Sequence, residues 1–100
     1  MTEAAVVTAC IRELKRRNLI SINLDGGAGA TGLPDRLVLV GGGRVIGLEF
    51  KDPKHGRLSA VQRYRREQWA TAGVPIYEIR DVATLRGILD DGQTNGRPDR

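Results

Sequence analysis

Two carboxylates in the middle of the chain are spaced so that a β-hairpin would bring them together. Residues 36–40 and 44–50 are rich in β-forming residues, and a run of three glycines centred on Gly42 separates them. Glycine accepts the positive φ angles of tight hairpin turns, so this pattern predicts two antiparallel strands. A turn centred on Gly42 places Asp35 opposite Glu49, since each lies seven residues from that centre.

Such a pair of carboxylates points to a divalent cation. Like charges directly opposite each other on neighbouring strands destabilise a sheet, and a cation between them removes the repulsion. Strand alternation puts Glu49 and Lys51 on one side and Leu48 and Phe50 on the other. Two carboxylates and a main-chain carbonyl are hard oxygen ligands of the kind that Mg²⁺ or Mn²⁺ prefers. The adjacent Lys51 would orient or help to deprotonate a water and offset phosphate charge.

The composition excludes several other kinds of chemistry. With one cysteine, Cys10, and one histidine, His55, the 100-residue chain cannot form a disulfide framework, a Cys₄ or Cys₂His₂ zinc site, or a haem-attachment motif. Cys10 is interpreted as a small buried hydrophobe, and His55 as a loop residue or a phosphate contact.

The cellular setting is predicted from the distribution of apolar residues. The longest apolar run is four residues, 37–40, and charged residues occupy the N-terminal region where a signal peptide would need an apolar stretch. We therefore expect a cytoplasmic protein, in a bacterial or phage-infected host cell, without a membrane partner.

Basic residues are concentrated in two parts of the sequence. There are 16 lysines and arginines against 12 acidic residues, a net charge of +4. Residues 51–66 contain six basic residues and only one acid, Asp52, and a second basic cluster lies at residues 12–17. These clusters fit a surface that binds a polyanion such as nucleic acid, but two solvated helix faces would explain them equally well.

The periodicity of apolar residues predicts one domain, residues 1–91, followed by a flexible polar tail, residues 92–100. Thr2 is a candidate N-cap for the first helix, and Ser59 with Gln62 forms a capping-box pattern that starts another, which Gly73 ends. The predicted elements are a helix at 2–17, strands at 19–24, 36–40 and 44–50, a helix at 59–73, a strand at 74–79 and a short helix from Asp81.

This order, α-β-β-β-α-β-α, predicts an α/β fold with a mixed sheet. The long helix between the third and fourth strands is the kind of crossover that makes those two strands parallel. Only 4% of residues are aromatic, so the core is expected to be thin and aliphatic. A second copy of the chain would complete such a core, which predicts a homodimer.

At the candidate metal residues the sequence resembles the VRR-Nuc branch of the PD-(D/E)XK nuclease superfamily. The resemblance extends from Glu3 to about Asp81, and the element order matches the restriction-endonuclease-like core of that superfamily. The loop at residues 52–56 is one residue longer than the family pattern, and Phe50 replaces a more usual aliphatic residue. The matching segments are Gly32-Leu33-Pro34-Asp35, Glu49-Phe50-Lys51, Gly56-Arg57-Leu58-Ser59 and Gln62.

The resemblance implies a set of site residues and an activity. Asp35, Glu49 and the main-chain carbonyl of Phe50 would bind Mg²⁺ or Mn²⁺, and Lys51 would be catalytic. Gln62 and Glu3 would complete the site. Enzymes of this kind hydrolyse DNA phosphodiester bonds, and short stand-alone members, often from phages, resemble homodimeric endonucleases that cut four-way (Holliday) junctions.

Each candidate residue also has a structural interpretation. Asp35 would be a turn residue, Glu49 an exposed strand acid, and Gln62 a helix cap, a role compatible with catalysis. Tyr64 and Trp69 fit a core or dimer interface better than a base-stacking surface. Four basic residues are candidate contacts to the DNA backbone: Lys54, Arg57, Arg63 and Arg66.

Two functional classes therefore stay open. The first is a metal-dependent, structure-selective DNA endonuclease, whether or not it prefers junctions. The second is a basic nucleic-acid-binding protein without cleavage activity, in which the carboxylates are structural. The intact combination of Asp35, Glu49 and Lys51 favours the first class.

Overall fold

The computed structural model describes residues 2–24, 32–54 and 57–95 of the chain, with side chains up to residue 91. Most of the glycine-rich loop, His55 and Gly56, and the last five residues of the predicted tail lie outside these ranges. The elements are α1 Glu3–Arg16, β1 Ile20–Asn23, β2 Arg36–Gly41, β3 Arg44–Phe50, α2 Ala60–Thr71, β4 Ile76–Ile79 and α3 Val82–Asn95. The described part of the chain thus has the predicted order of elements.

A mixed sheet of four strands in the order β1-β2-β3-β4 forms the centre of this α+β domain. β1 pairs with β2 and β2 with β3 in the antiparallel sense, whereas β3 and β4 are parallel. The parallel pair follows from α2, because a helix connecting two strands carries the chain back to the same end of the sheet. The predicted mixed sheet is confirmed.

Side chains at the helix N-termini explain where the helices begin. Thr2 Oγ1 accepts a hydrogen bond from the backbone N–H of Ala5 at 3.1 Å, as expected for the N-cap of α1. Asp81 accepts from the N–H of Thr84 at 2.8 Å at the start of α3. That helix continues to Asn95, so its last turn occupies the first part of the predicted tail.

None of the three helices in the described ranges is long and apolar enough to cross a bilayer.

The core lies between the sheet and the pair of helices α1 and α3. Alternate residues of β2 and β3 face these helices, and the thin aliphatic core expected from the composition is observed. Cys10 is fully buried there, and burial raises the pKa of its thiol to about 11, as expected for a small hydrophobe. The core residues include Val6, Cys10, Leu14, Val38, Ile46, Leu48, Phe50, Ile79, Leu85 and Leu89.

The opposite face of the sheet is only partly covered. α2 lies over its β3-β4 half, yet no side chain of α2 is fully buried, and Tyr64 is 61% exposed. Of the two roles predicted for Tyr64, a place in the core is therefore excluded, and a place in a dimer interface stays a prediction. Trp69 is half-buried. On the β1-β2 half, Ile20, Ile22 and Leu39 are exposed, because no helix in the described residues packs over them.

A buried ionic cluster joins α1 to α3. The carboxylate of Glu13 is 3% exposed and accepts hydrogen bonds from Arg16, Arg17 and Arg86. Arg17 also forms a 2.9 Å ion pair with Asp90 of α3. Two members of the N-terminal basic cluster are thus held in ion pairs within the fold, which corrects its interpretation as a simple surface for polyanions.

Candidate metal and nucleic-acid site

The β2-β3 hairpin has the register that the glycine run predicts. Arg36 pairs with Leu48 and Val38 with Ile46, both symmetric about Gly42, and a bulge near the turn leaves this part of the ladder unaffected. The backbone N–H of Asp35 donates to the carbonyl of Leu48 at 2.8 Å. The described pairing ends at Arg36 and Leu48, and Asp35 bonds to that same Leu48. Asp35 therefore lies just beyond the paired register, near the end of β3, and not directly opposite Glu49 as the spacing predicted.

The Asp35 carboxylate is fixed against the end of β3. The backbone N–H of Phe50 donates to Asp35 Oδ2 at 2.8 Å, which ties the side chain to the residue whose carbonyl is the third candidate ligand. A charge-assisted bond of this kind is stronger than one between neutral groups, so it holds the carboxylate in one orientation. The hairpin thus positions Asp35 before any ligand binds.

Glu49 is a buried carboxylate within a polar network. It is 5% exposed, and its Oε2 accepts a 2.8 Å hydrogen bond from Nε2 of Gln62. Nζ of Lys51 lies 3.8 Å from the same oxygen. The structural interpretation of Glu49 was an exposed strand acid paired with Lys51 or Arg36. Its burial excludes the exposed position, whereas the pairing with Lys51 is observed.

Gln62 links this network to the beginning of α2. Its Oε1 accepts from Nζ of Lys51 at 3.0 Å and from the backbone N–H of Ser59 at 2.9 Å. Ser59 Oγ in turn accepts from the N–H of Gln62 at 3.1 Å, which completes the predicted capping box. Because Oε1 must accept the Ser59 N–H, the other end of the amide, Nε2, is the one that faces Glu49. One side chain caps the helix and contacts both candidate catalytic groups.

The surroundings of Glu49 disfavour its negative charge. Burial and, to a smaller extent, the charge of Asp35 raise the pKa of Glu49 to about 7, while the charge of Lys51 acts in the opposite direction. The Glu3 charge adds a smaller increase. At neutral pH the pair of carboxylates is thus a place where a cation would relieve both the electrostatic repulsion and the loss of water.

The donor set fits a hard divalent cation. Asp35, Glu49 and the carbonyl of Phe50 offer oxygen ligands from two adjacent strands, which is the chemistry that Mg²⁺ and Mn²⁺ share. Within residues 2–24, 32–54 and 57–95, no three His, Cys, Asp or Glu side chains form a closed metal cage. Mg²⁺ is usually held by one or two carboxylates and keeps several waters, so two carboxylates and a carbonyl are a sufficient protein contribution.

Glu3 lies at the edge of this arrangement. It is the first residue of α1, is exposed, and lines an open cleft that also contains Asp35 and Phe50. Its charge is near enough to raise the pKa of Glu49. The structure therefore places Glu3 beside the carboxylates, where it would act on the site mainly through its charge.

Gly32 allows α2 to approach the sheet closely. It has a φ of +81°, and a Cβ atom there would lie 2.3 Å from Cγ1 of Val61 and 3.0 Å from Cγ of Arg65. Only glycine tolerates both this backbone conformation and this contact. Since α2 carries Gln62, the glycine three residues before Asp35 helps to set the distance between Gln62 and the strands.

The candidate DNA-binding residues lie on the surface. Arg66 lines the same small pocket as Glu49 and Gln62, so this cation is close to the carboxylates. All four side chains are exposed: Lys54, Arg57, Arg63 and Arg66. Cations at these positions are accessible to a phosphate backbone.

Two residues that line the same cleft as Glu3 and Asp35 were not predicted from the sequence. They are Asn23 and Arg36, which pair across β1 and β2. Strand alternation places Arg36 on the same face as Val38, and an arginine on a core-facing position is a signal that could have identified it. Its partner, Asn23, lies on β1. The glycine-rich loop separates β1 from β2 in the sequence, so the spacing of residues did not predict how these two strands pair.

No protein-family model matches the chain, and neither curated proteins nor solved structures are significantly similar to it. The geometry of the site is therefore the basis for proposing a function.

Proposed function

We propose that this protein is a metal-dependent DNA endonuclease that hydrolyses phosphodiester bonds. One observation carries the proposal: Asp35 is held against the end of β3, where its charge acts on Glu49, and Glu49 is buried beside Lys51. Two neighbouring carboxylates repel each other, whereas with Mg²⁺ or Mn²⁺ they form a site for phosphate oxygens.

Each group of the site has a distinct task in this reaction. A bound Mg²⁺ or Mn²⁺ would supply Lewis acidity at the phosphate. Asp35, Glu49 and the Phe50 carbonyl hold the cation. Lys51 places a positive charge where negative charge develops in the transition state and orients a water for attack. Gln62 holds the Lys51 ammonium and the Glu49 carboxylate at fixed positions relative to each other.

The preferred substrate is proposed to be branched DNA, a four-way junction, bound by a homodimer. The exposed cations of the 54–66 region supply backbone contacts. The uncovered face of β1 and β2 supports the dimer: Ile20 is 61% and Ile22 46% exposed, and Ile20 pairs with the exposed Leu39 on the same side of the sheet. Contiguous exposed aliphatic side chains of this kind mark protein interfaces.

One observation favours the alternative, a nucleic-acid-binding protein without cleavage activity. Oε2 of Glu49 already has Gln62 and Lys51 as partners, so the buried acid is hydrogen-bonded without any cation. A carboxylate satisfied in this way also fits a purely structural role. The two functions differ in their dependence on metal.

The direct test is a cleavage assay with four-way junctions, flaps, hairpins and linear duplex, each with Mg²⁺, Mn²⁺ or EDTA. We expect metal-dependent cleavage that is lost in Asp35→Asn and Glu49→Gln. Lys51→Ala should lose cleavage but retain most of its junction affinity, because one charge among many phosphate contacts contributes little to binding. Asp91→Asn, an exposed carboxylate of α3, is the charge-matched control and should cleave normally.

Two outcomes would contradict the proposal. Full activity in EDTA would exclude the metal site, and DNA binding without cleavage of any substrate would support the alternative. The dimer is tested separately by the mass in solution of wild type and of Ile20→Lys. Since Ile20 is exposed, this change should leave the fold intact and produce monomers, whereas a monomeric wild type would refute the homodimer.

A further inference from the structure

An open cleft lies next to Asp35 on the side of the sheet that faces α1. We name it the α1 cleft, and it has a volume of about 220 Å³. One wall comes from Glu3, Val7 and Ile11 of α1, the other from Asn23 and Arg36, and Asp35 with Phe50 lies at its end. The cleft therefore opens directly from two of the three candidate metal ligands, Asp35 and Phe50.

Arg36 is a cation held in a fixed position in this cleft. Its Nε and one terminal nitrogen donate to Oγ of Ser21 at 3.3 and 3.1 Å, and the side chain is half-buried. Within the described ranges no carboxylate forms an ion pair with it. The Ser21 hydroxyl uses one edge of the guanidinium, so further N–H donors remain for an anion with planar or tetrahedral oxygens.

Apart from Glu3, the opposite wall is apolar. Val7 and Ile11 are half-buried on adjacent turns of α1, and they leave part of their side chains facing the cleft. The volume is below the ~300–1,000 Å³ typical of pockets for drug-sized ligands, so the cleft suits a single flat ring with one attached anion. Unpaired nucleobases bind to apolar and aromatic side chains in this way.

We propose that the α1 cleft binds the nucleotide that flanks the scissile phosphodiester, with its phosphate on Arg36 and its unpaired base against Val7 and Ile11. This inference rests on the proposed function and adds a substrate class to it. A base must leave the helical stack to enter the cleft, so the cleft selects DNA whose bases are unpaired near the cleavage point, as at a branch.

The binding step can be measured without cleavage. The probe is deoxythymidine bisphosphate, with a phosphate on each sugar hydroxyl, titrated into metal-free protein while the methyl resonances of Val7 and Ile11 are followed. We expect these resonances to shift. Arg36→Gln should weaken binding by about tenfold or more, as for loss of a charged hydrogen-bond partner. Arg44→Gln, the same change at the far end of the hairpin, is the matched control and should bind like wild type.

Two variants separate the phosphate contact from the base contact. Ser21→Ala keeps the charge but removes the hydroxyl that orients Arg36, so binding should weaken less than in Arg36→Gln. Ile11→Trp fills the cleft and should abolish the response to the bisphosphate. Circular dichroism checks that this variant keeps its fold. Inorganic phosphate should bind more weakly than the bisphosphate, and equal affinities would show an anion site only and overturn the proposal.

Failure of this inference and failure of the proposed function give different results. If wild type cleaves branched DNA with metal, and Arg36→Gln cleaves it with the same KM and kcat, the cleft proposal is wrong and the nuclease stands. If the bisphosphate shifts Val7 and Ile11 but no substrate is ever cleaved, the cleft stands and the nuclease is wrong. Resonance shifts confined to α2 would also contradict the cleft.

Discussion

Gln62 donates a 2.8 Å hydrogen bond from Nε2 to Oε2 of Glu49, although the two residues belong to different elements and lie 13 positions apart. The capping box of α2 fixes which end of the amide faces the carboxylate, because Oε1 is already engaged by the N–H of Ser59. A local signal at the start of a helix therefore determines the geometry of a site on the neighbouring strand.

Replacing Gln62 by glutamate tests this coupling. Glutamate is as good as glutamine in a capping box, so Gln62→Glu should leave the start of α2 formed, which circular dichroism checks. A carboxylate cannot donate to Glu49, however, and it would repel that residue. Because positioning partners of metal ligands typically contribute 10–100-fold, we expect cleavage to fall by about that factor. Equal cleavage by Gln62→Glu and wild type would show that Gln62 is only a helix cap.

The stability of the metal-free protein should depend on the ionisation of Glu49. Its pKa is about 7 in the fold against an ordinary value of 4.5, so the folded state binds an extra proton between these values. This contribution to stability is fully present below 4.5 and is lost as pH rises through about 7. The charges of Asp35, Lys51 and Glu3 act on Glu49, and Arg66 and Glu78 line the same pocket.

The measurement is urea denaturation in EDTA across that pH window. The urea concentration at the midpoint of unfolding of wild type should fall as the pH rises across this window. Glu49→Gln should remove this component of the pH dependence. Asp35→Asn should shift the transition to lower pH, because it removes the nearest negative charge. Identical pH profiles for wild type and Glu49→Gln would contradict the raised pKa.

Gly32→Ala should displace α2 from the sheet. The new Cβ would lie 2.3 Å from Val61 Cγ1, and inserting a methyl into a packed contact costs about 1–3 kcal/mol. Gly73 also has a positive φ, +92°, but no atom within 4 Å of its Cβ position. Gly73→Ala therefore measures the backbone strain alone, about 1–2 kcal/mol.

We expect Gly32→Ala to be more destabilising than Gly73→Ala and to reduce activity. The double variant with Val61→Ala should regain part of the lost stability and part of the lost activity. If Gly32→Ala and Gly73→Ala lower the free energy of unfolding by the same amount, the close contact between Gly32 and α2 has no effect on stability.

Glu13 is expected to be the most important ionic residue for stability outside the site. Hydrogen bonds from Arg16, Arg17 and Arg86 lower the pKa of Glu13 to about 2, so its contribution is present above 4.5 and is lost as pH falls towards 2. Glu13→Gln should cost about 1–3 kcal/mol, because it weakens the hydrogen bonds to the largely buried Arg17, while the more exposed Arg16 and Arg86 can turn to solvent. Urea denaturation at neutral pH checks this, with Asp91→Asn as the control, and a loss no larger than the control's would contradict it.

Local sequence signals predicted most of the fold and the central part of the site. The symmetric glycine turn predicted the β2-β3 register from Arg36 to Leu39. It did not predict that Asp35 bonds to Leu48, just beyond that register. The Ser59–Gln62 spacing predicted the start of α2. Both signals act within a few residues, where turn and cap chemistry decide the conformation.

Contacts between distant parts of the chain were not predictable in the same way. Glu13 looks like any polar helix residue until Arg86, 73 positions later, packs against it. Apolar spacing suggested that Tyr64 is buried, but α2 touches the sheet with so little of its surface that Tyr64 is exposed. Periodicity identifies the apolar side of a helix and does not show how much of that side a neighbour covers.

Binding of Mn²⁺ to the pure protein without DNA tests the central claim most directly. Isothermal titration calorimetry at a pH above the Glu49 pKa of about 7 should show binding by wild type and by the control Asp91→Asn. Asp35→Asn and Glu49→Gln should each weaken it by about tenfold or more, since each removes one of two carboxylate ligands. Binding of equal affinity in wild type and both variants, or its absence in wild type, would contradict a metal site formed by Asp35 and Glu49.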